Sequence, residues 1–519
     1  MAITKVTGAL LGNYTGGSAD DTVVVGDGAG DAITSGVDNT LIGDNAGTAL
    51  TEGSDNVAIG NEALAANTTG TQNVAVGANA LDANTTASNN VAVGHDALSA
   101  NTTGTQNVAV GQKALEANTT ANDNTAVGLV ALTLNTTGAS NTGVGKGALS
   151  ANTTASNNTA VGFHALDLNT TGAENVAVGS EALMTNTTGG LNTAVGTEAL
   201  EANTTGQYNT ALGGAALKAN TTASNNTAVG LNCLLTNTTG ASNTAVGATS
   251  LDSNTTGGYN VAMGDRALQA NTEASANVAI GADAMYSNTT GGANVAVGAD
   301  ALKLNTTGTN NTGLGYQAGD WLTSGTGNTF VGKESGDGVT TGSDNICIGR
   351  NVTLASPSVS NGICVGIGIN AAANDFSFGK ASNVVTNDFD TDANWSRSSD
   401  KRLKKNIADQ TLGLSFINDL RTVKYNWKAS HELDSSDSQL AHLYKEDPAD
   451  NEMNTDATMH SFIAQEVKAA LDTAGVSDFN GWKEDKYGVQ QVSREMFVIP
   501  LVKAVQELSA EIDKLKKGE

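Results

Sequence analysis

The fold is decided by a 17-residue stretch that recurs along most of the chain: Asn56-Val57-Ala58-Ile59-Gly60-Asn61-Glu62-Ala63-Leu64-Ala65-Ala66-Asn67-Thr68-Thr69-Gly70-Thr71-Gln72. Its opening pentad, of the form Asn-Thr/Val-Ala-Val-Gly, returns every 17 residues. Counted loosely, the register runs from residue 22 to residue 366 and gives 21 copies without an insertion or deletion. The fourth pentad residue is apolar in every copy and the fifth is always Gly. A fixed register of this length indicates a stacked repeat architecture.

Each part of the repeat has its own turn or strand chemistry. The pentad has the alternation and the β-branched residues of a short strand, whose fourth residue we expect to point into the core. The Gly then bends the backbone, and it can do so at positive φ. An Ala-Leu pair, such as Ala63-Leu64, supplies a second apolar anchor. An Asn-Thr-Thr-Gly corner follows. Its fourth residue is Ala in some copies, as at Ala87, Ala155 and Ala223, so positive φ is not required there.

The corner Asn recurs 15 times, from Asn67 to Asn305. Stacking would align these side chains, and it predicts a buried ladder in which each amide bonds to the neighbouring coil. The Thr residues after each Asn fit a structural corner. Two alternatives are glycosylation sequons and the Thr ladder of an ice-binding solenoid. Adjacent Thr side chains in a strand point to opposite faces, so only one of each pair could join such a ladder.

The period predicts a mainly β fold, either a β-solenoid or an intertwined triple β-helix. One repeat cannot bury its own apolar face, so neighbouring repeats must stack. If each coil advances by one strand spacing, the 21 coils span on the order of 100 Å. Aromatic residues make up only 4% of the chain, so each coil has a thin core, and we expect homotrimerisation to complete it. The pentads also resemble the head repeats of trimeric bacterial adhesins.

Charge and composition exclude several classes of function. Residues 1–398 have a net charge of −21 and residues 399–519 one of −5. An acidic shaft repels nucleic acid and anionic membranes, so neither is an expected partner. The start of the chain has no apolar signal core and no 18-residue apolar run occurs, so we expect a soluble protein made in a cytoplasm.

No cofactor or metal site is expected. The three cysteines, Cys233, Cys347 and Cys364, do not form a disulfide framework and are interpreted as small buried residues, the last two in neighbouring coils. The Gly- and Asp-rich stretch at residues 26–31 could be a calcium turn, but a plain turn is the preferred interpretation. The sequence shows no unique close pair of carboxylates that would indicate sugar cleavage.

The chain changes character at Ser399-Asp400-Lys401-Arg402-Leu403-Lys404-Lys405-Asn406-Ile407. This nonapeptide resembles the auto-cleaving intramolecular chaperone domain at the C-terminus of bacteriophage tailspikes, including the endosialidase tailspikes, and of tail fibres. The resemblance continues through residues 413–421, 423–428, 460–467 and 498–508. It covers most of residues 399–519 in the family's order.

The resemblance implies self-cleavage between Ser398 and Ser399, with Ser399 as the nucleophile and Lys404 as the general base. A lysine can serve as a base only where burial lowers its pKa. Residues five apart lie about 140° apart on an ideal helix. The segment must therefore turn, or Lys404 must come from a neighbouring subunit. Asp400 and Arg402 are interpreted as holding the turn.

A helix predicted at the end of the chain could mediate assembly. Leu501, Val505, Leu508, Ile512 and Leu515 follow heptad spacing and predict an apolar seam. With Val505 and Ile512 at the a positions of the heptad and Leu at the d positions, a free coiled coil would favour a dimer. The resemblance, by contrast, implies a trimer. Pro500 fits the first turn of this helix. His460, the alternative base in the C-terminal region, is interpreted as structural.

These features predict four segments: residues 1–21 for attachment, 22–366 for the β shaft, 367–398 for a neck and 399–519 for a small α+β chaperone with self-cleavage activity. The expected function is that of a homotrimeric phage tail fibre or tailspike. Its other expected partners are a host receptor, glycan or protein, and virion tail proteins bound through the N-terminus. It would be located in the virion tail after synthesis in the host cytoplasm and release of the chaperone fragment. The alternatives are a bacterial trimeric surface adhesin and an ice-binding solenoid.

Overall fold

The computed structural model describes residues 21–381, 383–388, 401, 404–448 and 455–518. The chain separates into two compact units, Met1–Arg397 and Ser398–Glu519. Within the described ranges, no helix combines the length and the apolar character that crossing a bilayer requires.

The first unit is mainly one parallel sheet whose short strands recur at a constant interval, together with a separate two-stranded parallel pair and a final antiparallel strand. Its strands are β1 Val23–Val25, β2 Thr40–Ile42, β3 Val57–Ile59, β4 Val74–Val76, β5 Val91–Val93, β6 Val108–Val110, β7 Thr125–Val127, β8 Thr142–Val144, β9 Thr159–Val161, β10 Val176–Val178, β11 Thr193–Val195, β12 Thr210–Leu212, β13 Thr227–Val229, β14 Thr244–Val246, β15 Val261–Met263, β16 Val278–Ile280, β17 Val295–Val297, β18 Thr312–Leu314, β19 Thr329–Val331, β20 Ile346–Ile348, β21 Thr353–Leu354, β22 Ile363–Ile367, β23 Asn370–Ala371, β24 Asp375–Lys380 and β25 Asn383–Asp388.

The strands of the shaft pair in parallel with the strand 17 residues further along the same chain. Val57 is opposite Val74 and Ala58 is opposite Ala75, and the same register continues to β22. The fold is therefore a β-solenoid of about 21 turns, the first of the two predicted alternatives.

The direction of the strand side chains is the reverse of the prediction. The third pentad residue, usually Ala, is fully buried, as at Ala58, whereas the fourth residue, Ile59, is 37% exposed. The cause is the size of the coil interior. A Cβ built on Gly143, the third residue of another copy, would lie 3.3 Å from the Leu132 side chain. In a typical coil the Leu side chains thus leave room at the third position for little more than a methyl group, and the larger fourth residue faces outward.

The core consists of this third residue together with the Ala-Leu pair. Ala63 and Leu64 are fully buried, and the core cluster runs without a break from Ala29 to Ala371. Leu64 has a φ of 57°, a left-handed conformation uncommon for a residue other than glycine. At the fifth pentad position Gly128 has a φ of 139°, and a Cβ there would lie 2.5 Å from the carbonyl oxygen of Gly145. The prediction of a positive-φ glycine is confirmed.

Two ladders of buried Asn side chains run along the shaft. The predicted corner ladder is present: Asn84 Nδ2 donates to Asn67 Oδ1 at 3.0 Å and to the Ala87 carbonyl at 3.0 Å. A second ladder uses the first pentad residue, where Asn56 Oδ1 accepts from the backbone N–H of Asn73 at 3.0 Å. Asn73 Nδ2 also donates to the Ala87 carbonyl, at 2.9 Å. One carbonyl thus joins the two ladders in this coil.

The corner threonines stabilise the stack. Thr68 Oγ1 donates to the carbonyl oxygen of Thr85 in the next coil at 3.1 Å, while Thr69 is exposed. This agrees with a structural role for the first Thr of each corner. It also agrees with the expectation that the side chains of adjacent Thr residues point to opposite faces.

The cysteines are small core residues, as predicted. Cys233, Cys347 and Cys364 are fully buried free thiols, and the last two are opposite each other in adjacent strands. Burial raises the pKa of Cys347 and of Cys364 to about 12.

A hairpin follows the last regular coil. β24 pairs in parallel with β22 after only 13 residues, with Phe376 opposite Ile363, so the 17-residue period ends here. β25 then pairs antiparallel with β24, with Val385 opposite Phe378. The hairpin covers the parallel edge of β22.

The second unit is a small α+β domain that ends in a long helix. Its elements are α1 Leu414–Asn418, β26 Val423–Tyr425, a 3-10 helix Ser430–Glu432, β27 Met459–Ser461, α2 Ala464–Thr473, β28 Trp482–Glu484, β29 Gln490–Val492, a 3-10 helix Arg494–Phe497 and α3 Val498–Lys517. β26 pairs antiparallel with β27, and β28 with β29.

Candidate self-cleavage site and chaperone domain

Of the residues predicted for the cleavage site, Lys404 is the one that the structure describes. Ser398, Ser399, Asp400 and Arg402 lie outside the described residues. Lys404 is exposed and lies outside the helices of the unit, and its backbone N–H donates to the Lys401 carbonyl at 3.1 Å.

The segment after Lys404 is anchored to the C-terminal helix by Glu507. The Leu414 backbone N–H, at the start of α1, donates to Glu507 Oε2 at 2.7 Å. A Cβ on Gly413 would lie 2.2 Å from the same oxygen, so the carboxylate approaches only because this residue is glycine. A carboxylate that accepts from a free N–H at a helix start is stabilising. Glu507 thus joins two segments that are 93 residues apart.

A compact aromatic core holds the elements of the second unit together. Phe497 is 6% exposed, and its ring centroid is 4.8 Å from that of Phe462, 5.2 Å from that of Phe479 and 6.2 Å from that of Phe416. The buried aliphatic residues of this cluster are Leu412, Val467 and Leu471. Segments that carry the sequence resemblance therefore meet in one core.

The two strands β26 and β27 line a groove of about 760 Å³. Its lining includes the apolar side chains of Tyr425, Trp427, Met459 and Phe462. His460 is exposed and lies opposite Lys424 across the strand pair. Its carbonyl oxygen accepts from the Arg494 guanidinium at 3.1 Å.

An ion pair links the loop after α1 to α2. The Arg421 Nε donates to Glu466 Oε2 at 3.0 Å. Hydrogen bonding to this guanidinium lowers the pKa of the Glu466 carboxyl. Both residues belong to segments of the resemblance.

Comparison with protein families identifies this unit. Residues 399–476 match a peptidase family described as chaperone of endosialidase. The chain carries a chaperone domain of the endosialidase type. Neither a curated protein nor a solved structure matches the chain.

Together, the chaperone domain and the β-solenoid are the parts expected of a phage tail fibre-like protein. The family is a peptidase family, so the match supports self-cleaving chaperone peptidase activity. In the described ranges, no group of three or more His, Cys, Asp and Glu side chains is arranged to hold a metal ion.

The helix that follows the matched part of the chaperone domain carries the predicted apolar seam. Pro500 and Ala504 are buried, and Pro500 lies in the first turn of α3. The seam residues, by contrast, are between 43% and 75% exposed: Leu501, Val505, Leu508, Ile512 and Leu515. One face of the helix packs on its own domain, and the seam lies on the exposed side of the helix.

Sequence reasoning missed Glu507 as an anchor of the chaperone domain. Its partner, the N–H of Leu414, is made available by Gly413, and both belong to segments that the resemblance had singled out. The contact itself joins residues too distant in the chain for a local pattern to reveal it.

Proposed function

We propose that the chain is the shaft of a homotrimeric phage tail fibre or tailspike, and that its chaperone releases itself by cleavage between Ser398 and Ser399. The observation that carries this proposal is the family match at residues 399–476, directly behind a β-solenoid shaft. The exposed seam on α3 supports assembly through the C-terminal region. The released shaft would attach to a host receptor, glycan or protein, and residues 1–21 to other tail proteins.

The cleavage has a simple chemical course. Ser399 Oγ attacks the carbonyl carbon of Ser398, and Lys404 accepts the hydroxyl proton. The peptide C–N bond breaks, the freed amino group of Ser399 takes up a proton, and an ester joins the two residues. Water then hydrolyses the ester, which leaves a carboxylate on Ser398 and restores the Ser399 hydroxyl.

Assembly would control this reaction through Lys404. The side chain is exposed in the single chain, whereas burial is what disfavours the charged form of a lysine and makes it a better base. A neighbouring chain that packs over residues 399–405 would bury it. Cleavage would then follow trimerisation, and unassembled chains would keep their chaperone.

The first experiment compares the wild-type full chain with Ser399→Ala and Lys404→Ala on a denaturing gel, with Lys405→Ala as the matched control. Wild type and Lys405→Ala should give fragments 1–398 and 399–519, and the other two variants should stay intact. N-terminal sequencing should place Ser399 first in the small fragment. A different first residue, or normal cleavage of Ser399→Ala, would contradict the site.

A second experiment asks which chain supplies Lys404. Ser399→Ala and Lys404→Ala chains carrying different tags are expressed together. If Lys404 acts on a neighbour, the Lys404→Ala chains should be cut in mixed trimers, because the other chain provides the lysine. If it acts within its own chain, neither should be cut. Native mass measurement of Ser399→Ala should give a trimer; a monomer would refute the assembly.

A further inference from the structure

The outward face of the shaft sheet has an unusual composition. The second and fourth pentad residues share this face because strand side chains alternate. The second residue is Val, Thr or Ile in every copy, and neither position carries a charge in any of the 21 copies. The fourth residues form a continuous apolar column: Val25, Ile42, Ile59, Val76, Val93, Val110, Val127, Val144, Val161, Val178, Val195, Leu212, Val229, Val246, Met263, Ile280, Val297, Leu314, Val331, Ile348 and Val365.

These side chains are accessible along the whole shaft. Several fourth residues are between 37% and 47% exposed, from Ile59 to Leu314. At about 4.8 Å per row, the column is on the order of 100 Å long. The second and fourth side chains are about 7 Å apart along the strand, which makes the face roughly 10 Å wide.

The area of this face is what an interface between proteins needs. Its length and width give on the order of 1,000 Å² for one chain. The largest apolar patch on a typical monomer is about 300–600 Å², and a stable protein interface buries about 800 Å² on each partner. Leaving the face open to water would be costly at about 25 cal/mol per Å².

Charge indicates what covers the face. Residues 1–398 have a net charge of −21, so two shafts repel each other unless they meet where charge is absent. The charged residues of the regular coils lie at other positions, as Glu62 and Asp96 do in the turn after the strand. A highly charged partner would find no counter-charge on the face. A second copy presents the same neutral surface, with matching row spacing.

We propose that this face is the contact between shafts, and that three copies pack with it toward a common axis, each row against the same row of its neighbours. The arrangement rests on the homotrimer proposed above and assigns it a surface. Parallel packing follows if the chaperone domains assemble together, because every shaft then starts from the same end. The interface would bury the fourth-position column that one chain leaves exposed.

Single cysteines test both the face and the register. On the face, Ile59→Cys lies in the third row from the start and Val331→Cys in the third row from the end. Thr69→Cys is an exposed control at a corner of the same coil as Ile59. The native cysteines are buried. With a short bis-maleimide on the full chain carrying Ser399→Ala, each face variant should form covalently linked chains, and Thr69→Cys should not. Links between Ile59→Cys and Val331→Cys chains in mixed trimers would show antiparallel packing and overturn the arrangement.

Charge insertion tests whether the face stabilises the trimer. Val110→Lys, Val127→Lys and Val144→Lys combined place three cations on the face, and Thr120→Lys, Thr137→Lys and Thr154→Lys place them on the exposed corner of the same coils. Circular dichroism should be unchanged in both, because all six side chains point outward. The face variant should show at least tenfold more monomer in native mass spectra than the corner variant. Equal monomer fractions would refute the proposal.

The outcomes separate this inference from the proposed function. A monomeric Ser399→Ala chain would refute the homotrimer and the interface together. A trimer that shows no link through Ile59→Cys, or that links through Thr69→Cys instead, would refute the interface alone.

Discussion

Asn186→Ala removes one rung from the corner ladder. Asn186 Nδ2 donates to Asn169 Oδ1 at 2.8 Å and to the Gly189 carbonyl at 2.9 Å, and Asn186 Oδ1 accepts from Asn203 Nδ2 at 2.8 Å. All three Asn side chains are fully buried. The Gly189 carbonyl keeps a donor from Asn175 of the second ladder at 2.9 Å. Asn203 Nδ2 keeps the Gly206 carbonyl at 3.1 Å.

The substitution should cost several kilocalories per mole. Asn169 Oδ1 is left buried without its donor, which costs about 1–3 kcal/mol, and each of the other two lost bonds contributes about 0.5–1.5 kcal/mol. The total is roughly 2–6 kcal/mol. In a stacked repeat this cost falls on the altered coil and its two neighbours.

Hydrogen exchange measured by mass spectrometry can detect this local loss of stability. If opening of the coil becomes easier by roughly 2–6 kcal/mol, amide protection around residues 169–206 should fall about 30-fold or more. Thr188→Ala is the matched control, since Thr188 lies in the same corner and is exposed; it should change stability by less than about 0.5 kcal/mol. Protection factors that agree within threefold between the two variants would refute the energetic role of the ladder.

Two further predictions concern the shaft. Gly128→Ala should lower the melting temperature markedly, because the added Cβ would meet the Gly145 carbonyl oxygen at 2.5 Å and the φ of 139° strains any side chain. Gly214→Ala is the control, since a Cβ there would meet only the Leu231 side chain, at 3.4 Å, and Ala248 occupies the same position two coils later. Equal melting temperatures for the two variants would contradict the argument. Burial, with the nearby charge of Asp337, raises the pKa of Asp320 from 3.8 to about 6. The folded state therefore binds this proton more tightly, and its stabilising contribution is present below pH 3.8 and is lost as the pH rises through 6. Asp320→Asn should remove this loss of unfolding free energy, which is about 1–2 kcal/mol after allowance for solvent screening of a partly exposed group. The free energy of unfolding is measured at pH 4.5 and pH 7.5. An equal difference between the two pH values for the variant and the wild type would refute the assignment.

Much of the shaft could be predicted because the chain repeats its own requirements. A Gly that recurs at every fifth pentad position has to satisfy backbone geometry, and Gly128 does adopt a positive φ. The Asn67 ladder followed from stacking alone. The second ladder carried the same signal, since Asn56 and Asn73 also recur at the 17-residue interval, but these residues were interpreted only as the start of a strand.

The orientation of the strand could not be obtained from hydrophobicity. Both Ala58 and Ile59 are apolar, and alternation allows only one of them to face inward. The general association of larger aliphatic residues with cores favoured Ile59. The orientation is decided by the space that the buried Leu side chains leave in the coil. Their position depends on a left-handed backbone, as at Leu64, which is a conformation that Leu rarely adopts.

In the chaperone domain the resemblance identified the segments, and packing determined how they meet. The core around Phe497 joins α1, α2 and the 3-10 helix that precedes α3. The link from Glu507 to Leu414 depends on the approach of α3 to Gly413, which no spacing in the sequence encodes. The five-residue interval between Ser399 and Lys404 argues against a shared helical face. Lys404 lies outside the helices of the unit, and Ser399 lies outside the described residues, so the arrangement of the two stays a prediction.

The constant interval of the shaft also makes its length adjustable in whole steps. A duplication or deletion of 17 residues within the regular coils would restore every strand pair and both amide columns, with one row more or one row fewer. Each such event would change the length of the shaft by about 4.8 Å and leave both of its ends as they were. Unequal recombination between near-identical segments of the gene produces this kind of change. The fold thus tolerates variation in reach while it opposes any insertion that is not a multiple of the repeat.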